Sequence, residues 1–109
     1  MQTIPLPTGA AFFAQRAELE GTSYILDFSW NARQAAWFMS VFTADGDPLV
    51  RGITCVSNRL LLRRYKSNVD LPPGDLMMLD PTRTIDVPDF EQFGTSVTLT
   101  YFLAEELKG

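Results

Sequence analysis

The sequence contains no histidine and a single cysteine, Cys55. Without imidazole, Ser-His-Asp and Cys-His catalysis are excluded, as are zinc sites built on His and Cys. A lone cysteine excludes an intramolecular disulfide. A buried, reduced thiol is the expected state, with an intermolecular bridge as the alternative. Positive charge is also short. Nine Lys and Arg stand against thirteen Asp and Glu, a net charge of −4, which argues against general nucleic-acid binding. No apolar run approaches membrane-spanning length. Met1 to Pro7 carries neither a basic n-region nor an apolar h-region, so no signal peptide is read there. Sparse cysteine use fits a reducing cytoplasm.

What is present suffices for a core. A chain of 109 residues, 46% hydrophobic and 12% aromatic, suits one domain over 1–109. About two-thirds of its extended surface would leave water on folding. No internal repeat or linker divides it.

Period-two alternation dominates the chain. Pro5 and Pro7 oppose helix, so residues 1–11 read as an extended arm that needs something to lie against. Phe13–Leu19 alternates weakly and reads as a strand with a helix as rival; Glu20-Gly21 turns it. Thr22–Trp30 places Tyr24, Leu26, Phe28 and Trp30 on one side, the pattern of a half-buried strand. Asn31–Gln34 connects to Ala35–Thr43, where Trp37, Met39 and Val41 oppose Phe38, Ser40 and Phe42. Such a strand is buried on both sides or keeps an aromatic face for a partner. Asp45-Gly46 predicts a type I′ hairpin, returning through Leu49–Val56 with Gly52 as a bulge or close-approach point. Arg59–Tyr65 reads as a strand, with a helical turn as rival. Leu71–Asp75 is irregular, and Leu76–Asp80 is a short strand. Residues 81–94 form a long polar loop, functional or mobile. Thr95–Leu103 is the last strand, and 104–109 is a charged tail expected to fray. The fold class is all-β: a small antiparallel β-sandwich or barrel with an extended N-terminal arm.

Three clusters bear on chemistry. Asp70, Asp75, Asp80, Asp86, Asp89 and Glu91 would suit a carboxylate pair for glycoside hydrolysis or a calcium loop. No calcium-loop run is present, and a solvated acidic loop is the expected reading. Arg51, Arg59, Arg63, Arg64 and Lys66 surround Tyr65, a composition suited to single-stranded nucleic acid. Given the negative net charge, pairing with the acidic segment, within the chain or between subunits, is preferred. Trp30, Trp37, Phe38 and Phe42 form either a sugar-stacking platform or, as preferred, core. There is no phosphate loop and no dinucleotide fingerprint. No catalytic, cofactor-binding or metal-binding residue is assigned, and no enzymatic activity is expected.

The order of local signatures goes further. Ile4-Pro5-Leu6 opens the chain, and a Tyr-Ile-Leu-Asp-Phe strand precedes Trp37-Phe38-Met39-Ser40-Val41-Phe42. Then come Asp45-Gly46-Asp47-Pro48-Leu49, Leu60-Leu61 with basic neighbours, Leu71-Pro72-Pro73-Gly74-Asp75-Leu76, Phe93-Gly94-Thr95 and the Val97-Leu99-Tyr101 strand. Over roughly residues 2–103 this series resembles the small baseplate plug proteins of contractile-tailed bacteriophages, typified by a cyanophage baseplate plug. The resemblance implies a structural protein of the central baseplate hub that plugs or joins the tail-tube lumen. It implies no catalysis and no cofactor. It implies hub, tail-tube or spike proteins as partners. The unsupported residues 1–11 and the two-sided strand 35–43 separately point to self-association or stabilisation by a partner, with the arm as one contact. The resemblance makes a trimer the first expectation and a single copy the alternative. Residence in the virion tail after assembly in the host cytoplasm also follows, with no membrane and no specific nucleic-acid partner. The candidate interface is Ile4, Pro5, Leu6, Trp37, Phe38, Phe42, Arg59, Arg63, Arg64 and Tyr65. The alternative is a small β-barrel module binding single-stranded nucleic acid or glycan through Arg59, Arg63, Arg64, Tyr65 and the tryptophans. An enzyme built on the late carboxylates is a distant third.

Overall fold

The alternating segments pair into two antiparallel sheets. The computed structural model describes every residue but Lys66, Val69 and Gly109. The strands are β1 (Gln2–Ile4), β2 (Phe12–Leu19), β3 (Thr22–Asn31), β4 (Ala36–Thr43), β5 (Pro48–Thr54), β6 (Asp75–Leu79) and β7 (Thr98–Phe102). Strands β2-β3-β4-β5 form a meander, and β1-β7-β6 form the second sheet. Leu26, Phe28, Met39 and Val41 of the first sheet share one buried cluster with Leu76, Met78, Leu99 and Tyr101 of the second. The all-β sandwich is therefore the fold that the alternation predicts.

Hairpin chemistry explains the meander. The β4–β5 turn sits where Asp45-Gly46 predicts it, but its geometry differs. Gly46 alone in this turn has positive φ, +94°. The Thr43 N–H donates to Asp47 O at 2.8 Å, and the Gly46 N–H to Thr43 O at 2.9 Å. The loop is thus three residues long with a left-handed third position, not a two-residue type I′ turn. Gly52, at φ +73°, lies in a shift of the β4–β5 register: Met39 faces Ile53, yet Val41 faces Val50. That is the expected bulge, and the Gly52 N–H donates to Ser40 Oγ across it.

Four expectations need correction. The amino-terminal residues do not leave the body as an arm. Gln2, Thr3 and Ile4 pair with Tyr101, Thr100 and Leu99, and Pro5 O accepts from Gln15 Nε2 at 2.9 Å. Ile4, only 4% exposed, supplies the apolar anchor that orders this segment on its own chain. The carboxyl-terminal tail is likewise structured through Ala104–Lys108 as a 3-10 helix. There Glu106 accepts from the Leu103 N–H and pairs with the Met1 ammonium at 2.6 Å.

Residues 59–65 are not a strand. Leu60 makes one bridge to Met77, after which Arg63–Tyr65 forms a 3-10 turn. Leu61 and Leu62 are both buried, which strict alternation forbids. Asp75 Oδ1 fixes the bend by accepting from the Leu62 N–H at 2.7 Å.

Residues 81–94 are irregular, as expected, but neither wholly polar nor loose. Phe93 is 2% exposed and stacks on Trp37 with ring centroids 4.4 Å apart. Phe90 stacks at 5.6 Å, and the Trp37 indole N–H donates to Asp89 O at 3.3 Å. The loop closes one end of the sandwich. Aromatic area drives that closure.

Candidate assembly surfaces

Register decides what the outer face of the four-stranded sheet carries. Ser29 lies between Phe12 and Phe38, and Phe38 faces Thr54. Ile25 lies between Arg16 and Phe42, and Phe42 faces Pro48. This face therefore collects Phe12, Ile25, Phe38 and Phe42. Phe12 is 63% exposed, and the other three are half-buried. The Arg51 guanidinium sits over the Phe42 ring, 5.7 Å from its centroid, which keeps one cation on an apolar patch. Strand β4 resolves its two alternatives by splitting them: Trp37, Met39 and Val41 enter the core, while Phe38 and Phe42 stay partly in solvent.

A second surface lies on the flank between β5 and β6. The chain from Ser57 to Leu62 runs along β6, with the Asn58 N–H donating to Met78 O and the Leu61 N–H to Leu76 O. This path turns Arg59, Arg63 and Arg64 outward. Arg59, Arg64 and Tyr65 line a groove of about 280 Å³ against Gly52, Ile53 and Thr54 of β5. Arg59, Arg63 and Arg64 line a neighbouring one of about 620 Å³ with Leu60 and Met77. A third, of about 570 Å³, joins Arg59 to Ser57, Arg83, Asp80 and Asp86. Arg59 is common to all three. Among the described residues no arginine forms an ion pair with a carboxylate, so the expected pairing with the acidic segment does not occur within the chain there. Lys66 lies outside the described residues.

The candidate interface residues thus fall into separate groups. Arg59, Arg63, Arg64 and Tyr65 come together on the flank. Phe38 and Phe42 share the outer sheet face. Ile4 and Trp37 are core residues. Pro5 is exposed, and Leu6 is half-buried against the core beside Gly94. The proposed sugar platform divides likewise: Trp30 packs on Trp37 at 5.8 Å, away from the phenylalanines of the outer face. Sequence reasoning missed Phe12, Ile25 and Arg83. Ile25 was visible as the apolar residue out of pattern on the polar side of its strand.

The late carboxylates organise backbone. Asp75 and Asp80 are each 1% exposed, which corrects the solvated reading for these two, whereas Asp70, Asp86, Asp89 and Glu91 are exposed as expected. Asp75 Oδ1 accepts from the Leu62 and Leu76 N–H groups. Asp80 accepts from the Thr82 hydroxyl and from the N–H groups of Thr82, Thr84 and Ile85 at 2.7–3.0 Å. The Thr82 hydroxyl, followed by those backbone donors, lowers the Asp80 pKa. Asp89 Oδ1 accepts from Glu91 and Gln92 N–H groups. Among the described residues no group of His, Cys, Asp and Glu has the geometry to hold a metal. Cys55 is fully buried and unbridged, and loss of hydration pushes its pKa to about 12. No helix among the described residues is long and apolar enough to cross a membrane.

These are the candidate surfaces that the two-sheet sandwich leaves exposed. None of the curated proteins matches the sequence. A family match covers residues 1–105, nearly the whole domain, and carries the description cyanophage baseplate Pam3 plug gp18. The chain belongs to this cyanophage baseplate plug family, and so to the structural proteins of the phage tail baseplate that associate with one another in the virion.

Proposed function

We propose that the protein obstructs the central channel of the baseplate, seated in the hub where the tail tube ends. The observation that carries this reading is the family match across 105 of 109 residues, because its description is that of a plug. The structure supports it physically. The body measures 32 × 32 × 22 Å, and its loop end is closed by stacked aromatic rings rather than left open. Two outward surfaces of different character remain for neighbours: the Phe12–Phe38–Phe42 face and the arginine flank. We assign the hub, tube or spike contacts to these, with Pro5 and Leu6 at their margin. The protein works by occupying space and is not an enzyme; the virion tail is its place of action.

Cryo-electron microscopy of tails from a phage carrying this gene, beside tails from a deletion mutant, tests the assignment. The expected result is density of this shape on the channel axis, absent from the mutant. Density on the outside of the baseplate, or no difference along the axis, would overturn it.

A further inference from the structure

Charge in this molecule is segregated. One pole of the sandwich gathers Glu18 and Glu20 at the β2–β3 turn, Asp45 and Asp47 at the β4–β5 turn, and Glu105 and Glu106 in the last 3-10 helix. The two turns are neighbours, because Tyr24 faces both Ala17 and Thr43. The Glu20 carboxylate accepts from the Tyr101 hydroxyl and the Ala104 N–H, which joins the third group to the first. Two exposed apolar side chains, Met1 and Leu107, belong to the same pole.

The β5–β6 flank has the opposite sign. Arg59, Arg63 and Arg64 are exposed around half-buried Leu60 and Met77. The trough continues past Ser57 to Arg83, where Asp80 and Asp86 also line it, so the positive sign is strongest at Arg59, Arg63 and Arg64.

We infer that the acidic pole of one copy docks on the arginine flank of the next, so that this chain assembles with itself head to tail. Carboxylates of the pole meet the guanidinium groups, which suit them geometrically. Met1 and Leu107 cover the Leu60–Met77 floor. A nucleic acid is a poorer occupant, because a net charge of −4 repels a polyanion. The two patches differ, so the contact is heterologous and closes into a ring when the rotation per copy allows. Charge orients such docking more than it strengthens it, and salt weakens it. The inference does not rest on the plug assignment, since a monomer can fill a channel too.

Light scattering and sedimentation of the full chain at low and high salt test it. At low salt the expected mass exceeds the 12.2 kDa of one chain and falls to it at high salt. Arg63→Glu with Arg64→Glu removes association, as does Glu18→Arg with Glu105→Arg. An equimolar mixture of the two double variants restores it, because each then offers the other a complementary patch. All four positions are exposed, and circular dichroism verifies that each variant is folded. A wild-type protein that is monomeric at every salt concentration would overturn the inference. So would association indifferent to both variants, or a mixture of folded variants that stays monomeric.

Discussion

Truncating Phe93 to alanine removes the side chain that locks residues 81–94 onto the body. Its ring lies 4.4 Å from Trp37, 5.4 Å from Phe28 and 6.4 Å from Phe13, centroid to centroid. Deleting a fully buried Phe costs about 3–5 kcal/mol, the range reflecting how far the site collapses. The upper half applies here, because three ring contacts are lost together and each pair is worth about 0.5–1.5 kcal/mol beyond its area. For a domain this size about 1 kcal/mol moves Tm by roughly 4 °C, so Phe93→Ala should melt roughly 16–20 °C below wild type. Phe12→Ala is the control: Phe12 is 63% exposed, and the loss should stay within about 0.5 kcal/mol. Calorimetry reads Tm, while tryptophan fluorescence reads the site, since Trp37 is one of only two tryptophans. A red-shifted emission is expected as Trp37 gains water. Phe93→Leu, which keeps part of the volume, should fall between the two. A Phe93→Ala protein melting within about 4 °C of wild type with unchanged emission would show that the loop is not part of the core.

Three further outcomes follow from the buried polar groups. Asp80 has its pKa lowered by the Thr82 hydroxyl and then by backbone donors. Its contribution is therefore present above its ordinary value of 3.8 and lost as pH falls through the lower folded value. Melting followed against pH should show this acid-side loss, and Asp80→Asn should both lower Tm at neutral pH and flatten the acid limb; an unchanged limb would refute the assignment. Tyr101→Phe removes a hydroxyl that donates to Glu20 at 2.6 Å and accepts from the Gly74 N–H at 2.8 Å. Urea unfolding should show a loss of about 1–3 kcal/mol, and a neutral substitution would mean that water replaces both bonds. Cys55, with its pKa pushed up to about 12 by burial, should react with a disulfide reagent only at the rate of unfolding. Prompt labelling of the native protein at neutral pH would contradict its burial.

The elements legible in the sequence are those set by local chemistry. Strands β3, β4 and β7 alternate because one face meets the core, and Asp45-Gly46 and Gly52 mark a turn and a bulge that only backbone freedom permits. What was not legible depends on residues distant in the chain. Leu60-Leu61-Leu62 has no period, and its path into the 3-10 turn is held by contacts to β6, the Leu61 N–H on Leu76 O and the Leu62 N–H on Asp75 Oδ1. Asp75 and Asp80 read as solvated because nothing nearby in sequence shows that the N–H groups of Leu62, Thr84 and Ile85 converge on them. The amino-terminal residues looked unsupported because their partner, β7, lies at the other end of the chain. Of the candidate surfaces, the arginine cluster was visible as a run, whereas the Phe12–Ile25–Phe38–Phe42 face appears only once register aligns three strands.

The pairing of β1 with β7 also fixes the sequence of events during synthesis. Strands β2 to β5 are joined by short turns and can zip into a meander while the chain is still on the ribosome. The second sheet cannot, since Gln2 must wait for Tyr101 and β7 must also find β6. Until then the inner face of the meander, with Leu26, Phe28, Met39 and Val41, has no covering layer. Pairings this distant are slow because loop closure precedes any gain. The last strand to emerge is therefore the one that converts an exposed apolar sheet into a finished sandwich, and a truncated or stalled chain ending before Thr98 is the species most exposed to aggregation.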